Sequence, residues 1–501
     1  MHNYSYKGLI VHPEETLDPS DWPAFRLQAH AMLDDMLEHT AQLRQRPVWQ
    51  PIPQALRDGF RQHLPRQATD LAVLHQRFLQ EVLPYSVGNA HPGFMGWVQG
   101  GGTAVGMLAE MLTAGLNANV GGRDQIALEV EHQILHWMCE LFSFPDTASG
   151  LFVTGTSIAN LIAVLIARTA RLGGQVRHDG IGHNGHLLRA YTSAGAHGCI
   201  SQAMDLAGFG TAALRIIPVN ARYQMDLAQL TQAIQADRAA GLQPFLIVGS
   251  AGTVDVGAID DLDALATLAR EQDIWFHVDG AYGALGMLAS DIAPKLRGIE
   301  RADSIAFDFH KWGQVPYDAG YILVREGAQQ LATFAAPANY LRRENRGMSA
   351  GSPWPCDLGP DLSRGFRALK TWFTIASYGA DKLGRMISHS CELAHYLKQR
   401  IERTAQLQLL APVNLNIVCF RYADVAAEYL DELNAELLIR LQVSGLVAPS
   451  GTSIAGQFAL RAAIVNHRTT RRDIDTLCDA TLHLGHQLRA HYPTIKLARA
   501  A

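Results

Sequence analysis

The segment that most directly suggests chemistry is DSIAFDFHKWGQVPYDAG, residues 303–320. Its apolar first half predicts a β-strand that ends just before His310, Lys311 and Trp312. In an enclosed, apolar site a lysine is costly to keep charged, so its pKa falls and its amine can form a Schiff base. A single lysine at a strand end is otherwise more often a solvent-exposed side chain without a chemical role.

A second segment, HVDGAYG at residues 277–283, also ends an apolar run and places Asp279 32 positions before Lys311. One strand-and-helix unit fits between the two, so both side chains are expected to line one crevice. Pyridoxal phosphate needs such a pair, a lysine that bonds to its aldehyde and an acid that keeps its pyridine nitrogen protonated. Taken alone, a buried aspartate at a strand end is more often a helix cap or a loop-bonding group.

A third segment, TGTSIANLIAVLIAR at residues 154–168, opens an apolar helix with a glycine turn and small hydroxyl residues. Free amides and the positive end of the helix dipole make such a turn a phosphate site. Thr156 and Ser157 are the candidate donors. Ordinary helix capping by these hydroxyls is the alternative interpretation.

A fourth segment, YTSAGAHGCISQA at residues 191–203, places His197 at another predicted strand end. An imidazole in that position can stack on a flat cofactor ring. The alternative is a core histidine whose nitrogens are satisfied by hydrogen bonds.

The elements that position these residues alternate along residues 150–325. Strands are predicted at 150–155, 214–219, 244–250, 275–280, 304–309 and 320–324, and helices up to residue 171, at 225–240 and at 260–273. This alternation predicts an α/β fold with a mainly parallel sheet covered on both faces. Such sheets bind ligands at the carboxyl ends of their strands, where the four segments lie.

The chain divides into three zones in this interpretation. Residues 1–90 form a helical N-terminal arm that is broken by the proline-rich run RPVWQPIP. Residues 91–380 form a large α/β domain that holds the cofactor. Residues 381–501 form a small α+β domain with a helix at 380–403, a strand at 415–422 and further helix.

Composition excludes several classes of protein. The 501 residues are 48% hydrophobic, and 42 basic against 47 acidic residues leave a net charge of −5, so a nucleic-acid binder is not indicated. The longest apolar run, Leu161–Ala167, is too short to cross a membrane, and the first residues do not resemble a secretory signal. Six cysteines without CxxC spacing argue against a metal site and favour reduced thiols in the cytoplasm.

In chain order, the four segments resemble the group II pyridoxal phosphate-dependent amino-acid decarboxylases, which include the aromatic-L-amino-acid, histidine and glutamate decarboxylases. Further matching segments are HPGFMGW (91–97), GTVDVGAIDDL (252–262), NYLRR (339–343), DLSRGFRALKTW (361–372) and LRAAIVNHRTT (460–470). The resemblance runs over most of the chain. It implies the fold-type I aminotransferase scaffold, pyridoxal 5'-phosphate as cofactor, an amino acid as substrate, and a homodimer with its active site at the interface.

The resemblance assigns catalytic roles to four residues. Lys311 bonds covalently to the cofactor, Asp279 pairs with the pyridinium nitrogen, and His197 stacks on the ring. Tyr340, on a predicted mobile loop, protonates the substrate carbon after carbon dioxide has left. A tyrosine at that position favours plain decarboxylation over the oxidative deamination of related aldehyde synthases, which carry phenylalanine there.

The resemblance also implies binding roles. The other cofactor-contacting positions are Thr156, Ser157, Ala281, Thr253, His310 and Asp308. The candidate substrate-binding positions are His91, Phe94, Trp97, Asn117 and Arg461.

The chain departs from the family pattern in two places, of which the first concerns a contact to the cofactor and the second leaves the substrate open. Val254 replaces a hydroxyl residue that many members carry after Thr253. The segment 117–131 is more polar than its counterpart in aromatic decarboxylases, which suits a polar or acidic substrate, whereas Phe94 and Trp97 suit an aromatic one. The alternative functions are an aldehyde synthase, another lyase or aminotransferase of the same fold, and a cofactor-free binding protein, which the presence of Lys311 disfavours.

Overall fold

A computed structural model describes residues 16–335 and 343–492. The described chain forms two compact units. One comprises the described parts of Met1–Gln42 together with Ile52–Ser86, and the other comprises Leu43–Pro51 together with the described parts of Val87–Ala501. The division of the chain into an arm, a large domain and a small domain stays a prediction.

The helices of the described residues are numbered in chain order. They are α1 Trp22–Ala41, α2 Gln54–Gly59, α3 Leu71–Arg77, α4 Ala104–Leu116, α5 Ile126–Phe142, α6 Thr156–Leu172, α7 Val176–Asp179, α8 Gly182–Gly185, α9 Cys199–Leu206, α10 Leu227–Ala239, α11 Leu262–Glu271, α12 Gly327–Phe334, α13 Arg367–Tyr378, α14 Ala380–Glu402, α15 Leu430–Val443 and α16 Arg471–Arg489. No helix of this part of the chain is both long enough and apolar enough to span a membrane.

The strands are numbered in the same way. They are β1 Phe94–Met95, β2 Ser149–Val153, β3 Leu188–Ser193, β4 Leu214–Ile217, β5 Gln243–Ser250, β6 Trp275–Asp279, β7 Ser304–Asp308, β8 Gly320–Val324, β9 Leu407–Leu409, β10 Ile417–Tyr422, β11 Ala448–Ile454 and β12 Gln457–Ala463.

The larger sheet has seven strands in the order β2-β8-β7-β6-β5-β3-β4. Strand β8 runs antiparallel to both of its neighbours, and the other pairings are parallel. The sheet is therefore mixed but mainly parallel, as predicted. Its parallel strands are apolar because helices cover both faces, and β7 is buried at every position.

Strand register brings the functional ends together at one edge of this sheet. Ser250, the last residue of β5, pairs with Asp279, the last residue of β6, and Asp279 pairs with Ala306 of β7. Asp308 thus ends β7 two residues beyond that pair. Helix α6 packs on this sheet through Ala159, Ile162 and other residues at helical spacing, so its N-terminus lies at the same edge.

A second sheet lies in the C-terminal part of the same unit, with strand order β1-β11-β12-β10-β9. The sequence predicted only helix after residue 422, so β11 and β12 were missed. Strand β11 reads APSGTSI, whose proline, glycine and serines are poor strand formers, and its pairing with β12 rather than local propensity makes it a strand. Strand β1 extends the sheet from a segment some 350 residues earlier in the chain.

The N-terminal unit is helical. Asp21 caps α1, and its side chain accepts a hydrogen bond from the Ala24 amide at 2.9 Å. Within this unit, His75 of α3 is buried, and its Nδ1 lies 3.0 Å from Gln28 Nε2. Several apolar side chains of α1 are exposed, among them Trp22 and Leu27.

The buried ion pair between Arg364 and Glu131 joins several elements beneath the large sheet. The Arg364 guanidinium donates to both Glu131 carboxylate oxygens at 3.1 and 3.2 Å and to the carbonyls of Val120 and Phe152 at 2.8 and 3.1 Å. Both charged side chains are almost fully buried. Because each charge depends on the other, the pair is a point at which one substitution has a large effect.

We expect Arg364→Met to destabilise the fold by about 3–5 kcal/mol, because it leaves the Glu131 carboxylate buried without its cation. Thermal unfolding of the cofactor-free protein measures the effect. Glu131→Leu in the same chain removes the orphaned charge and should restore most of the loss. A single Arg364→Met variant that melts at the wild-type temperature would contradict this role.

Candidate active site

A cavity of about 410 Å³ lies at the edge of the large sheet where β5, β6 and β7 end. It brings together most of the predicted site residues. The lining includes Trp97, Thr156, Ser157, His197, Thr253, Asp279, Ala281, Asp308, His310 and Lys311. Segments as far apart in sequence as 97 and 311 thus converge on one space.

Lys311 lies in the turn that follows β7, and its Nζ is 2.9 Å from Asp308 Oδ2. Asp308 is 2% exposed, and its other oxygen accepts a hydrogen bond from the Thr156 amide at 2.8 Å. The Asp308 carboxylate therefore links the lysine to the start of α6. Gly320 makes this approach possible, because a Cβ there would lie 2.4 Å from the Gly155 Cα.

His310 supports the same carboxylate from the other side. Its Nδ1 accepts a hydrogen bond from the Ala319 amide at 3.0 Å, and its Nε2 lies 3.5 Å from Asp308 Oδ2. Burial lowers the pKa of His310, so the ring is neutral near pH 7 and carries its proton on Nε2. The Tyr317 ring packs on this imidazole with 4.2 Å between centroids.

The start of α6 has the features of a phosphate site. Its N-cap residue is Gly155, which offers no side-chain cap to the first turn. The Thr156 hydroxyl is buried and has no hydrogen-bond partner among the described residues. An unpaired buried donor at a helix N-terminus suits a phosphate group, so the residues present fit this end of pyridoxal phosphate.

Asp279 ends β6 and is 6% exposed. Its Oδ1 accepts from the Ala281 amide and its Oδ2 from the Asn160 side-chain amide, each at 3.1 Å. Burial raises the pKa of Asp279, and the Lys311 ammonium is the largest of the influences that oppose the rise. A carboxylate in this setting gains most from a cationic partner, such as a protonated ring nitrogen.

His197 and Thr253 lie in loops at the rim of the cavity. His197 follows β3, its Nδ1 accepts from the Cys199 amide at 3.1 Å, and the ring is exposed. The Thr253 hydroxyl accepts from the Ala258 amide at 3.0 Å, which closes the loop after β5. Val254 lines the cavity beside it.

Four predicted substrate-binding residues do not line this cavity. His91 and Phe94 are buried, with His91 Nδ1 accepting from the Gly93 amide at 2.9 Å. Asn117 is an exposed residue that ends α4. Arg461 of β12 is buried and donates to the carbonyls of Val254 and Asp255 and to Ser450 Oγ, so it anchors the loop after Thr253. Tyr340 lies outside the described residues.

The residues that the sequence analysis missed at this site include Tyr317 and Asn160. Tyr317 lines the cavity, and Asn160 is fully buried against Asp279. A signal for Asn160 was present, because an amide inside the apolar run of α6 is expected to have a buried hydrogen-bond partner. Among the described residues no cluster of three His, Cys, Asp or Glu side chains is arranged to hold a metal ion.

Known proteins match this arrangement over most of the chain. Residues 53–423 match the model of the pyridoxal-dependent decarboxylase conserved domain. An aromatic-L-amino-acid decarboxylase of Bacillus atrophaeus is 28% identical, with 94% of this chain and 97% of that protein covered. An L-2,4-diaminobutyrate decarboxylase of Rhizobium meliloti (strain 1021) is 29% identical over 86% of this chain and 85% of that protein.

A solved structure shows the same likeness in three dimensions. The crystal structure of Oryza sativa TDC with PLP and tryptamine superposes with a TM-score of 0.86 at 26% identity, covering 95% of this chain and all of that one. The predictions of the fold-type I scaffold, of pyridoxal phosphate as cofactor and of a carboxy-lyase are confirmed. The chain belongs to the pyridoxal-dependent decarboxylase family.

Proposed function

We propose that the protein converts an L-amino acid to its amine and carbon dioxide, with an aromatic amino acid as the first candidate substrate and an acidic or other polar one as the second. The observation that carries the proposal is the convergence of Lys311, Asp279 and Thr156 on one cavity. These residues fit the aldehyde, ring nitrogen and phosphate of the cofactor, respectively.

The bound cofactor supplies an electron sink for the pair of electrons left when carbon dioxide departs. The chain supplies orientation. Thr156 and the start of α6 would hold the phosphate end of the cofactor and Asp279 its ring nitrogen, so contacts at both ends would orient the ring. His197, at the rim, would cover one face of that ring and Ala281 the other. This arrangement favours cleavage of a bond that stands perpendicular to the ring.

The cavity supports an aromatic substrate. Trp97 lines it with 54% of its surface exposed, and Val98 and Val254 add apolar walls. One polar group of the 117–131 segment, which favoured the second candidate, is engaged within this chain, since Asn119 Oδ1 accepts from the amides of Gly121 and Arg364. Similar proteins include an aromatic-L-amino-acid decarboxylase and also an L-2,4-diaminobutyrate decarboxylase, so similarity is compatible with both candidates.

Carbon dioxide release from a panel of amino acids tests the substrate class. We expect the highest kcat/KM with phenylalanine, tyrosine, tryptophan or dihydroxyphenylalanine, and lower values with glutamate, aspartate and 2,4-diaminobutyrate. The same reactions, analysed for amine, aldehyde, ammonia, peroxide and keto acid, separate a decarboxylase from an aldehyde synthase or an aminotransferase. A preference for an acidic or diamino substrate would establish the second candidate instead.

Tyr340 is proposed as the group that returns a proton to the substrate carbon, on the strength of the family resemblance. We expect Tyr340→Phe to shift the products from amine toward aldehyde and peroxide, because the donor of that proton is lost. Product analysis by mass spectrometry with a peroxide assay measures the shift. An unchanged yield of amine would remove Tyr340 from this role.

A homodimer is the proposed assembly. In the N-terminal unit, exposed apolar side chains of α1, such as Trp22 and Leu27, are of the kind that a second copy of the chain would cover. All six cysteines are free in the structure, which fits the proposed cytoplasmic location.

A further inference from the structure

A chain of buried polar side chains runs from Asp279 into the large sheet. Asn160 Nδ2 lies 3.1 Å from Asp279 Oδ2, and Asn160 Oδ1 lies 2.8 Å from His277 Nε2. His277 Nδ1 lies 2.8 Å from Ser304 Oγ, which accepts from Trp275 Nε1 at 2.9 Å. Asn160, His277 and Ser304 are fully buried. The contacts therefore join α6, β6 and β7 directly behind the carboxylate.

The hydrogen bonds that link Trp275 to Asp279 all have the same donor-to-acceptor direction. Asn160 Oδ1 can only accept, so His277 Nε2 must carry the proton of that bond. Burial lowers the pKa of His277 to about 3, so the ring is neutral and its Nδ1 is an acceptor. The Ser304 hydroxyl accepts from the Trp275 indole and donates to that Nδ1. Donation thus runs from Trp275 through Ser304, His277 and Asn160 to Asp279.

This direction fixes the amide of Asn160. With its oxygen bound to His277, the amide presents its N–H group to the Asp279 carboxylate. A rotated amide would present its oxygen instead and would repel the charged carboxylate. Hydrogen bonds in a row polarise one another, so each upstream donor strengthens the last one. This row of hydrogen bonds favours the charged form of Asp279, whereas burial of Asp279 opposes that charge.

We propose that His277 is a positioning residue that acts through Asn160 to keep the Asp279 carboxylate charged and aimed at the ring nitrogen of the cofactor. The inference rests on the proposed pairing of Asp279 with that nitrogen. His277 does not line the cavity, so its effect on the cofactor must pass through other residues.

A cofactor analogue with carbon in place of the ring nitrogen tests the inference by binding rather than by turnover. Cofactor-free protein is titrated with pyridoxal phosphate and with the analogue, and the two dissociation constants are compared. His277→Phe keeps an aromatic ring but removes both hydrogen bonds. We expect this variant to weaken the binding of pyridoxal phosphate about tenfold and that of the analogue less than about threefold. Only pyridoxal phosphate has a ring nitrogen that can pair with Asp279.

Three further variants make the comparison specific. Asn160→Leu removes the hydrogen bonds that link His277 to Asp279 by a change on α6. It should weaken the binding of pyridoxal phosphate selectively, as His277→Phe does. His277→Gln retains a donor for Asn160 and should bind both ligands within about threefold of wild type. Tyr191→Phe removes another buried hydrogen bond of the sheet, from Tyr191 to Asp237 at 2.8 Å, and should leave both constants unchanged.

The outcomes separate the inference from the function on which it rests. Equal weakening of both ligands in His277→Phe and Asn160→Leu would mean a merely structural role, and no weakening of either would mean none, so both results overturn the inference. Asp279→Asn should abolish the preference for pyridoxal phosphate. If the preference survives in Asp279→Asn, or is absent in wild type, the assigned role of Asp279 fails and the inference falls with it.

Discussion

Lys311→Ala should yield a folded protein without the visible absorbance of the wild type and without measurable decarboxylation. The cavity contains this single lysine among its lining residues in the described chain, and the Nζ lies 2.9 Å from a fully buried carboxylate. Alanine removes the only amine there that can bond to the cofactor aldehyde. Absorption spectra of the purified protein, before and after addition of pyridoxal phosphate, measure the effect.

Borohydride and a matched lysine variant sharpen this test. Reduction should fix the cofactor to wild-type protein, and mass spectrometry of a digest should place it on the peptide that contains Lys311. Lys398→Ala, a surface change on α14 where Lys398 pairs with Glu402, should behave as wild type. Retention of a reducible chromophore in Lys311→Ala, or labelling of another lysine in wild type, would refute the assignment.

The arrangement around Lys311 gives Asp308 a larger part than its family resemblance suggested. One carboxylate contacts the lysine ammonium, the Thr156 amide and the edge of the His310 ring. Lys311 and the start of α6 are therefore held by a common buried carboxylate.

Much of this site could be predicted from the sequence because it depends on strand ends. The runs before Asp279 and Lys311 are continuous and apolar, as is typical of buried parallel strands. The ends of these strands could therefore be recognised in the sequence. The start of α6 was visible in the same way, through the glycine turn before Thr156. The local sequence pattern was sufficient to predict these strands because a strand buried on both faces of a sheet accepts few residue types other than apolar ones.

What could not be predicted depends on partners far away in sequence. Strand β11 is a strand because β12 and β1 pair with it, and its own residues favour turns. The guanidinium of Arg461, a residue that the resemblance places near the substrate, contacts the Val254–Asp255 backbone from another sheet, and the sequence does not show this contact. The role of Asn160 needed the simultaneous presence of His277 and Asp279 on a neighbouring strand. The periodicity of a sequence does not show contacts between residues that lie far apart in it.

Asp279→Ala should lower kcat by roughly 10²–10⁴-fold while leaving the fold intact. Each 1.36 kcal/mol added to the barrier is about tenfold in rate, so this loss corresponds to roughly 3–5 kcal/mol of transition-state stabilisation. Without the carboxylate the ring nitrogen loses its enforced proton, and the electron sink is weakened. Turnover at saturating cofactor, measured with the preferred amino acid, gives the loss directly.

The stability of the same variant should change little. Burial raises the pKa of Asp279 above its unfolded value, so the protonated carboxyl favours the fold at low pH, and this contribution is lost as the pH rises through the folded pKa. At neutral pH the cofactor-free Asp279→Ala protein should therefore melt no more than about 2 °C below wild type. A large fall in the melting temperature with near-normal kcat would make Asp279 a structural residue. Lost turnover together with retained stability is the result expected if the surroundings of Asp279 disfavour its charge and the charge serves the cofactor.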